Sequence, residues 1–355
     1  MAHSRVQVPV MADVARLAGV SHQTVSRVLN NHPSVAPDTR RSVETAISQL
    51  GYRRNTAARA LVTKKSRTLG VVSVDTSHYG PASTLFSIEA AARQASYFVN
   101  FVSLRYVDRP NMRAAVDHLM GANVDGLIVI APLTAAVEAL EGLRTDVPLV
   151  RVAGDEGSAS ADSVVVDQSA GAVLATRHLL SLGHETVAHV RGPEQWLEAD
   201  ARVRGWLSAL MAARVPVPRV LAGDWSPAAG YRAGLELAGM PEVTAVFAAN
   251  DQMALGLIRG LHDGGRIVPT EVSVVGFDDI PEAGYFLPPL TTVRQDFAEV
   301  GRRCIDRLMA LIAGAEAASM SPIQPTLVVR SSAAPPRPHL SRTPPGAAPP
   351  LTAGL

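Results

Sequence analysis

Cysteine is almost absent from this chain of 355 residues, where Cys304 stands alone. A single thiol closes no internal disulfide and builds no cysteine-based metal cage, so redox and zinc functions of that kind are excluded. No run of 18 apolar residues occurs, which removes a membrane-crossing helix. The opening M-A-H-S-R lacks the apolar segment of a signal peptide, so a cytoplasmic, nucleoid-associated protein is expected. Also missing are a G-x-G-x-x-G after a strand, a phosphate-cradling G-x-x-x-x-G-K, a G-x-S-x-G elbow and paired histidine ligands. Without them the chain reads as a non-enzyme with no cofactor.

Net charge is nearly absent too, at +1, but it is unevenly spread. Up to Ser66 there are 10 Lys and Arg against 3 Asp and Glu; the remainder carries 23 against 29. A basic module on a mildly acidic body is the footprint of a protein that grips phosphates at one end, although a solvated basic surface gives the same count. The length is enough for two or three domains, each with its own core.

The first of these is written in D-V-A-R-L-A-G-V-S-H-Q-T-V-S-R-V-L-N, Asp13 to Asn30. Val14, Ala15, Leu17 and Ala18 recur at helical spacing, Gly19 can take a positive φ, and Ser21 stands where an N-cap accepts an orphan N–H. Two short helices joined by such a turn form a helix-turn-helix. In the second, Val25, Val28 and Leu29 mark the buried side, while His22, Gln23, Ser26, Arg27 and Asn30 carry hydrogen-bonding groups away from it. Arg pairs bidentately with guanine, and Gln or Asn with adenine, in the one groove that admits a helix. A helical hairpin with a solvated polar face is the plainer alternative. A third helix follows over P-D-T-R-R-S-V-E-T-A-I-S-Q-L, with Pro37 at its first position and Val43, Ala46, Ile47 and Leu50 as a closing stripe. Beyond Gly51, R-R-N-T-A-A-R-A-L-V holds good helix formers but is too short to be helical alone in water.

These residues resemble the DNA-binding module of the lactose repressor family of bacterial transcription regulators, through D-V-A-x-x-A-G-V-S-x-Q-T-V-S-R-V and N-x-x-A-x-x-L. The resemblance implies that His22, Gln23 and Arg27 face bases of a double-stranded operator, and that Ser21, Thr24, Ser26, Asn30 and Asn55 hold its backbone. It further implies a hinge helix over residues 55–62 that carries Asn55, Ala58 and Leu61. There Leu61 would wedge between base steps in the minor groove. Val10 occupies a position where many relatives have a capping Ser or Thr, a loss of about 1 kcal/mol.

From Thr68 the texture changes to short apolar runs alternating with amphipathic stretches. Strands are expected at 69–74, 99–104, 126–131, 149–152, 164–166, 186–190, 245–248 and 272–277, with helices between them. That alternation implies parallel sheets covered by helices on both faces, with ligands bound beyond the carboxyl ends of the strands.

The body resembles the periplasmic sugar-binding protein fold that the same family carries, most densely in G-D-W-S, A-N-D-Q-M-A-L-G, V-S-V-V-G-F-D-D and P-P-L-T-T-V-R-Q-D-F. The expected fold class is therefore an N-terminal all-α helix-turn-helix domain with hinge helix, followed by a C-terminal α/β two-subdomain periplasmic-binding-protein-like body. The expected boundaries are 1–66 for DNA binding and 67–330 for effector binding. The body would divide into 67–166 with 296–324 and 167–295 with 325–330. A disordered Pro/Ala-rich tail is expected over 331–355.

A sugar is recognised by planar polar side chains bridging neighbouring hydroxyls over an aromatic face. Arg202, Asn250, Asp278 and Gln295 supply the first kind here and Trp225 and Phe297 the second, each matching a ligand-contacting position of the family. Singly, Asn250 could be only an N-cap and Trp225 only core. Ala153 stands where the family usually has an acidic residue; Asp155 and the stretch His78 to Ser83, with Tyr79, are further candidates for the walls. Val300, Cys304, Leu308 and Ile312 form one apolar register and Ile88, Ala91 and Ala95 another, either core or dimer surface. The tail has no leucine repeat of the kind that joins the family's dimers into tetramers. The whole reads as a homodimeric repressor of a palindromic operator, released by a small-molecule effector, most simply a sugar. A purine-type corepressor or a sugar-binding protein without a regulatory role are the alternatives.

Overall fold

A computed structural model describes residues 9–52, 65–154, 161–316 and 318–337. The chain divides into two compact units, Met1–Ser66 and Arg67–Leu355. In the first, α1 (Met11–Ala18), α2 (His22–Leu29) and α3 (Pro37–Leu50) enclose Val14, Val25, Val28, Val43 and Ala46. Gly19 ends α1 at φ 64°, and the Ser21 hydroxyl accepts from the Thr24 N–H at 3.1 Å to start α2. At Val10 no side chain caps α1, but its N–H donates to Asp13 Oδ2 at 3.0 Å, which keeps half of a reciprocal cap. Leu17, expected on the buried stripe, is half exposed because three short helices cannot cover every apolar side chain.

The larger unit holds two sheets, as the alternation of strands and helices predicts. β1 (Thr68–Val74), β2 (Phe98–Leu104), β3 (Gly126–Ala131), β4 (Leu149–Ala153) and β5 (Ser163–Val165) form a parallel sheet in the order β2-β1-β3-β4-β5. It carries α4 (Tyr79–Gln94), α5 (Arg109–Gly121) and α6 (Thr134–Leu140). The chain then crosses at residues 166–167 to α7 (Gln168–Ser181), β6 (Ala188–Val190), α8 (Leu197–Ala213), β7 (Val220–Leu221), α9 (Pro227–Ala238), β8 (Ala245–Ala248), α10 (Asp251–Asp263), β9 (Ser273–Asp278) and β10 (Thr291–Arg294). It returns through α11 (Phe297–Ile312), which packs on α4 and the first sheet, and crosses last to β11 (Thr326–Val328). The second sheet runs β11-β10-β9-β8-β6-β7, parallel except for β11.

Five described elements escape the sequence pattern: β7, β10, β11, α6 and the 3-10 helix Pro281–Tyr285, none longer than 7 residues and too short to show a period. Val300, Cys304, Leu308 and Ile88 prove to be core between α4 and α11, with Ala91 and Ile312 packed against it; Ala95 is exposed. The expectation of disorder from Ser331 is corrected for Ser331–Arg337. The Ser332 carbonyl accepts from Val274 N–H at 2.8 Å, its hydroxyl accepts from Thr291 N–H at 2.8 Å, and Ala334 N–H donates to Ser273 Oγ at 2.9 Å. Hydrogen bonds of its backbone and of two serine hydroxyls order this segment without any hydrophobic period. Residues 338–355, the hinge positions Asn55, Ala58 and Leu61, and Asp155 lie outside the described residues.

Candidate functional site

On the first unit, α2 turns Val25 and Val28 inward and leaves His22, Gln23, Arg27 and Asn30 exposed, with Thr24 and Ser26 half-buried. Four side chains able to pair with base edges thus share one face of a helix fixed by its cap. Arg40 of α3 holds the other end of α2: its guanidinium donates to Asn31 Oδ1 at 3.0 Å and to the His32 carbonyl at 3.1 Å, and reaches the Val28 carbonyl. Sequence reasoning missed Arg40, because nothing local marks a side chain that reaches 12 residues back along the chain.

In the larger unit a cleft lies between the two sheets, at the carboxyl ends of the parallel strands. Its wall on the second sheet includes Arg202, Trp225, Asn250 and Asp278. Opposite stand His78 to Pro81 at the start of α4, and Trp196 with Glu198 at the start of α8 completes the lining. The cavity volume is about 20 Å³, far below that of a ligand pocket. A ligand therefore needs the walls to part.

The polar groups behind the wall form one network. Gln295 Nε2 donates to Asp278 Oδ1 at 2.8 Å, Gln168 Nε2 donates to Gln295 Oε1 at 2.8 Å, and Arg202 Nε donates to Gln168 Oε1 at 3.0 Å. Arg202 also donates to the Ala249 carbonyl and faces Asp278 at 3.6 Å. Its guanidinium carbon lies 3.9 Å from the centroid of Phe277 and 5.4 Å from that of Trp225, both within cation–π reach. Every member is buried, so the ring fixes the orientation of the Asp278 carboxylate before any ligand arrives. Burial pushes the Asp278 carboxyl up to about 6, against the pull of Arg202 and Gln295. Below about pH 6 it becomes a neutral acid and loses its acceptor-only character. Asp251, buried beside it with Thr292 Oγ1 and the Ile280 N–H as donors, is raised well above the carboxylate range by desolvation and then by Asp278.

Asn250 does both things the sequence allowed: its Oδ1 accepts from Met253 N–H at 2.9 Å as the cap of α10, and its amide lines the cleft. Trp225 likewise is 6% exposed, packed in the core beneath and open to the cavity on one side. Its Nε1–H has no partner among the described residues, a buried donor left for a ligand. Trp225 and Asp278 both hold positive φ, 68° and 107°, a conformation uncommon for residues other than glycine. Gln295 lies behind the wall, and Phe297 packs edge-on against Tyr79 at 5.8 Å between centroids, one step from the lining. Ala153 is buried at the end of β4, so no acid stands there.

Trp196, Glu198 and Gln168 were missed by sequence reasoning. Trp196 meets Trp225 at 5.7 Å and 80°, and His78 at 5.2 Å and 84°, forming an aromatic corner. All three follow the carboxyl end of a strand, β5 or β6, and the rule for open parallel sheets would have found them.

Comparison with known proteins agrees with both halves. Residues 10–55 match the family "Bacterial regulatory proteins, lacI family", and 176–333 match "Periplasmic binding protein-like domain". The chain is 35% identical over 306 residues to the lactose operon repressor of Escherichia coli (strain K12), covering 85% of this chain and 84% of that one. It is 37% identical over 328 residues to the transcriptional regulator GalS of Salmonella typhimurium, covering 91% and 96%. Among solved structures, the lac repressor dimer bound to operator and the anti-inducer ONPF superposes with a TM-score of 0.82 at 32% identity, covering 92% of this chain and 100% of that one. A complex of the regulator CelR with cellobiose gives 0.64 at 30% identity, covering 91% and 99%. The chain therefore belongs to the lacI family of bacterial regulatory proteins, DNA-binding transcriptional repressors that couple a helix-turn-helix module to an effector-binding body.

Proposed function

We propose that this protein binds a near-palindromic operator as a homodimer and is released from it by a small sugar. The observation that carries the sugar reading is the prearranged Arg202–Asp278–Gln295 network beside the face of Trp225, the pairing of planar polar groups with an aromatic surface that a pyranose requires. His22, Gln23 and Arg27 read the bases, with Ser21, Thr24, Ser26 and Asn30 on the phosphates and the hinge residues Asn55, Ala58 and Leu61 in the minor groove. Two such helices in a dimer address half-sites about 34 Å apart. The effector shifts the angle between the two sheets about the crossings at 166–167, 295–296 and 324–325. A difference in affinity of about 1 to 3 kcal/mol between the two states is enough for regulation.

Selection of bound sequences from a random duplex pool, at stated salt, tests the first half; a palindrome with a deformable centre is the expected product. The recovered duplex then serves to test sugars. Displacement by a sugar supports the reading. Tightening of the complex by a purine base, with no response to sugars, replaces it by corepression.

A further inference from the structure

The two glutamines of the buried ring stand where the chain enters and leaves the second half of the body. Gln168 opens α7 directly after the crossing at 166–167, and Gln295 follows β10 directly before the crossing at 295–296. The third crossing is fastened to the first beside Gln168. Asp167 N–H donates to the Ile323 carbonyl at 2.9 Å, Ile323 N–H donates to the Val165 carbonyl at 2.8 Å, and Gln324 Nε2 donates to Asp167 Oδ2 at 3.3 Å. Asp167 Oδ1 also accepts from Ala170 N–H at 2.7 Å as the cap of α7, so the first turn of that helix moves with the crossing. One turn further, Gly171 is pressed between the Phe277 ring and Pro325: a methyl there would meet the ring at 2.7 Å and the proline at 3.1 Å.

Gln168 is 4% exposed and stands behind the lining side chains, not among them. Its amide is used at both ends: Oε1 accepts from Arg202 Nε, and Nε2 donates to Gln295 Oε1. Gln295 in turn donates to Asp278. Arg202 and Asp278, the charged members of the ring that line the cleft, are thus each one hydrogen bond from a glutamine at a crossing. The place calls for an amide. An ionised Glu keeps the acceptor for Arg202 but offers Gln295 Oε1 no proton, and Met offers neither. Leaving a buried partner unsatisfied is costly, so a ligand that turns Arg202 or Asp278 carries the glutamines with them.

We propose that Gln168 is a positioning residue that transmits effector occupancy from Arg202 and Asp278 to the three crossings, and so to the angle between the two sheets. The proposal rests on the effector-dependent release proposed above and assigns its transmission to one side chain outside the cleft. Coupling of this kind needs a contiguous element that both sites bias, and the ring with its fastened crossings is one.

The test uses the full-length protein and the operator recovered by selection, with glucose, galactose, lactose, cellobiose, adenine and guanine as probes. The coupling is the ratio of operator dissociation constants with and without a saturating probe, and probe affinity for the DNA-free protein is read from tryptophan fluorescence. In the wild type that ratio is expected to be at least about tenfold. Gln168→Glu should reduce it by about threefold or more while probe affinity falls by less than about threefold, because Arg202 keeps its acceptor. Gln168→Met should lower both. Thr176→Val, which removes another buried side-chain bond of α7, from Thr176 Oγ1 to the Ala172 carbonyl, should leave the ratio as it is. Hydrogen exchange without any probe reads the same link: the amides of Asp167 and Ile323 should exchange faster in Gln168→Glu, and those of α10 should not. A ratio that survives in Gln168→Glu, or that falls equally in Thr176→Val, overturns the role of Gln168. A wild type whose operator affinity responds to none of the probes overturns the effector reading for these ligands; unchanged exchange at Asp167 and Ile323 in Gln168→Glu overturns the link from Gln168 to the crossings whatever the probes do.

Discussion

Gln23 and His189 show how differently two polar residues act in this protein. Gln23 is exposed on α2, and its amide can form a bidentate pair with adenine. Gln23→Ala is expected to cost about 1 to 3 kcal/mol of operator affinity at one base position and leave the melting temperature unchanged; gel-shift titration of single-base operator variants checks it. His189 is fully buried in β6, stacked between Phe247 at 4.7 Å and Trp206 at 5.4 Å. Its Nδ1 contacts the Phe247 carbonyl at 2.9 Å, and its Nε2 has no partner among the described residues. Burial lowers its pKa to about 4. Between about pH 6.5 and pH 4 the unfolded chain therefore takes up a proton that the folded protein refuses. Stability from this group is complete above pH 6.5 and falls with acidification by about 3 kcal/mol in all. Asp278, raised to about 6, works in the opposite sense across an overlapping range, so the comparison must be with a variant. The stability difference between the wild type and His189→Phe should shift in favour of the variant as pH falls from 6.5 to 4, read from urea unfolding. A pH-independent difference would mean that His189 takes up its proton as readily in the folded as in the unfolded chain.

Among elements, the α9–α10 pair bears the tightest contact. Gly230 and Gly234 on α9 face Gly256 and Gly260 on α10, and a Cβ at any of the four would strike the backbone of the opposite helix. Small residues at four-residue spacing on both helices let the two backbones touch, and α10 carries Asn250 and Asp251 at its first turn into the site. Gly256→Ala would place its methyl on the Pro227 carbonyl. A loss of at least about 2 kcal/mol in chemical denaturation is expected, together with weaker effector binding because Asn250 moves with the helix. The segment holding Leu61 asks for the opposite outcome. Leu61→Ala should weaken operator binding while leaving effector binding nearly unchanged if Leu61 wedges at a base step as proposed; equal loss of both in paired titrations defeats the hinge reading.

For the whole molecule the open question is which surface the second copy covers. β2 is the edge of the first sheet, and Phe98 and Phe101 on it are exposed, as is Phe86 on α4. An open edge strand with exposed aromatics is a template for association that soluble monomers avoid. The core stripes on α4 and α11 are spent inside the fold, whereas this edge is open, and we propose that the homodimer covers it. Phe101→Glu should shift sedimentation from dimer towards monomer and weaken operator binding at least about tenfold, because two half-sites are then bound independently. Operator affinity that survives in a monomer would remove dimerisation from the mechanism.

The sequence by itself determined the helix-turn-helix, from the spacing of Val14, Gly19, Ser21 and Val25, because caps and helical periods are local. It determined the alternating strands and helices of the body for the same reason, and through strand ends it singled out Arg202, Trp225, Asn250 and Asp278, all of which line one cleft. It could not show that Gln168, 127 residues before Gln295, joins it in one hydrogen-bonded ring, or that Trp196 and Glu198 complete the wall. It also misjudged Ser331–Arg337, which is held by hydrogen bonds from Ser332 and Ala334 to residues 41 to 61 positions earlier, with no hydrophobic period to announce it. Those features depend on which segments the chain crossings bring together, and contacts at such separation are decided only when two sheets have formed and packed.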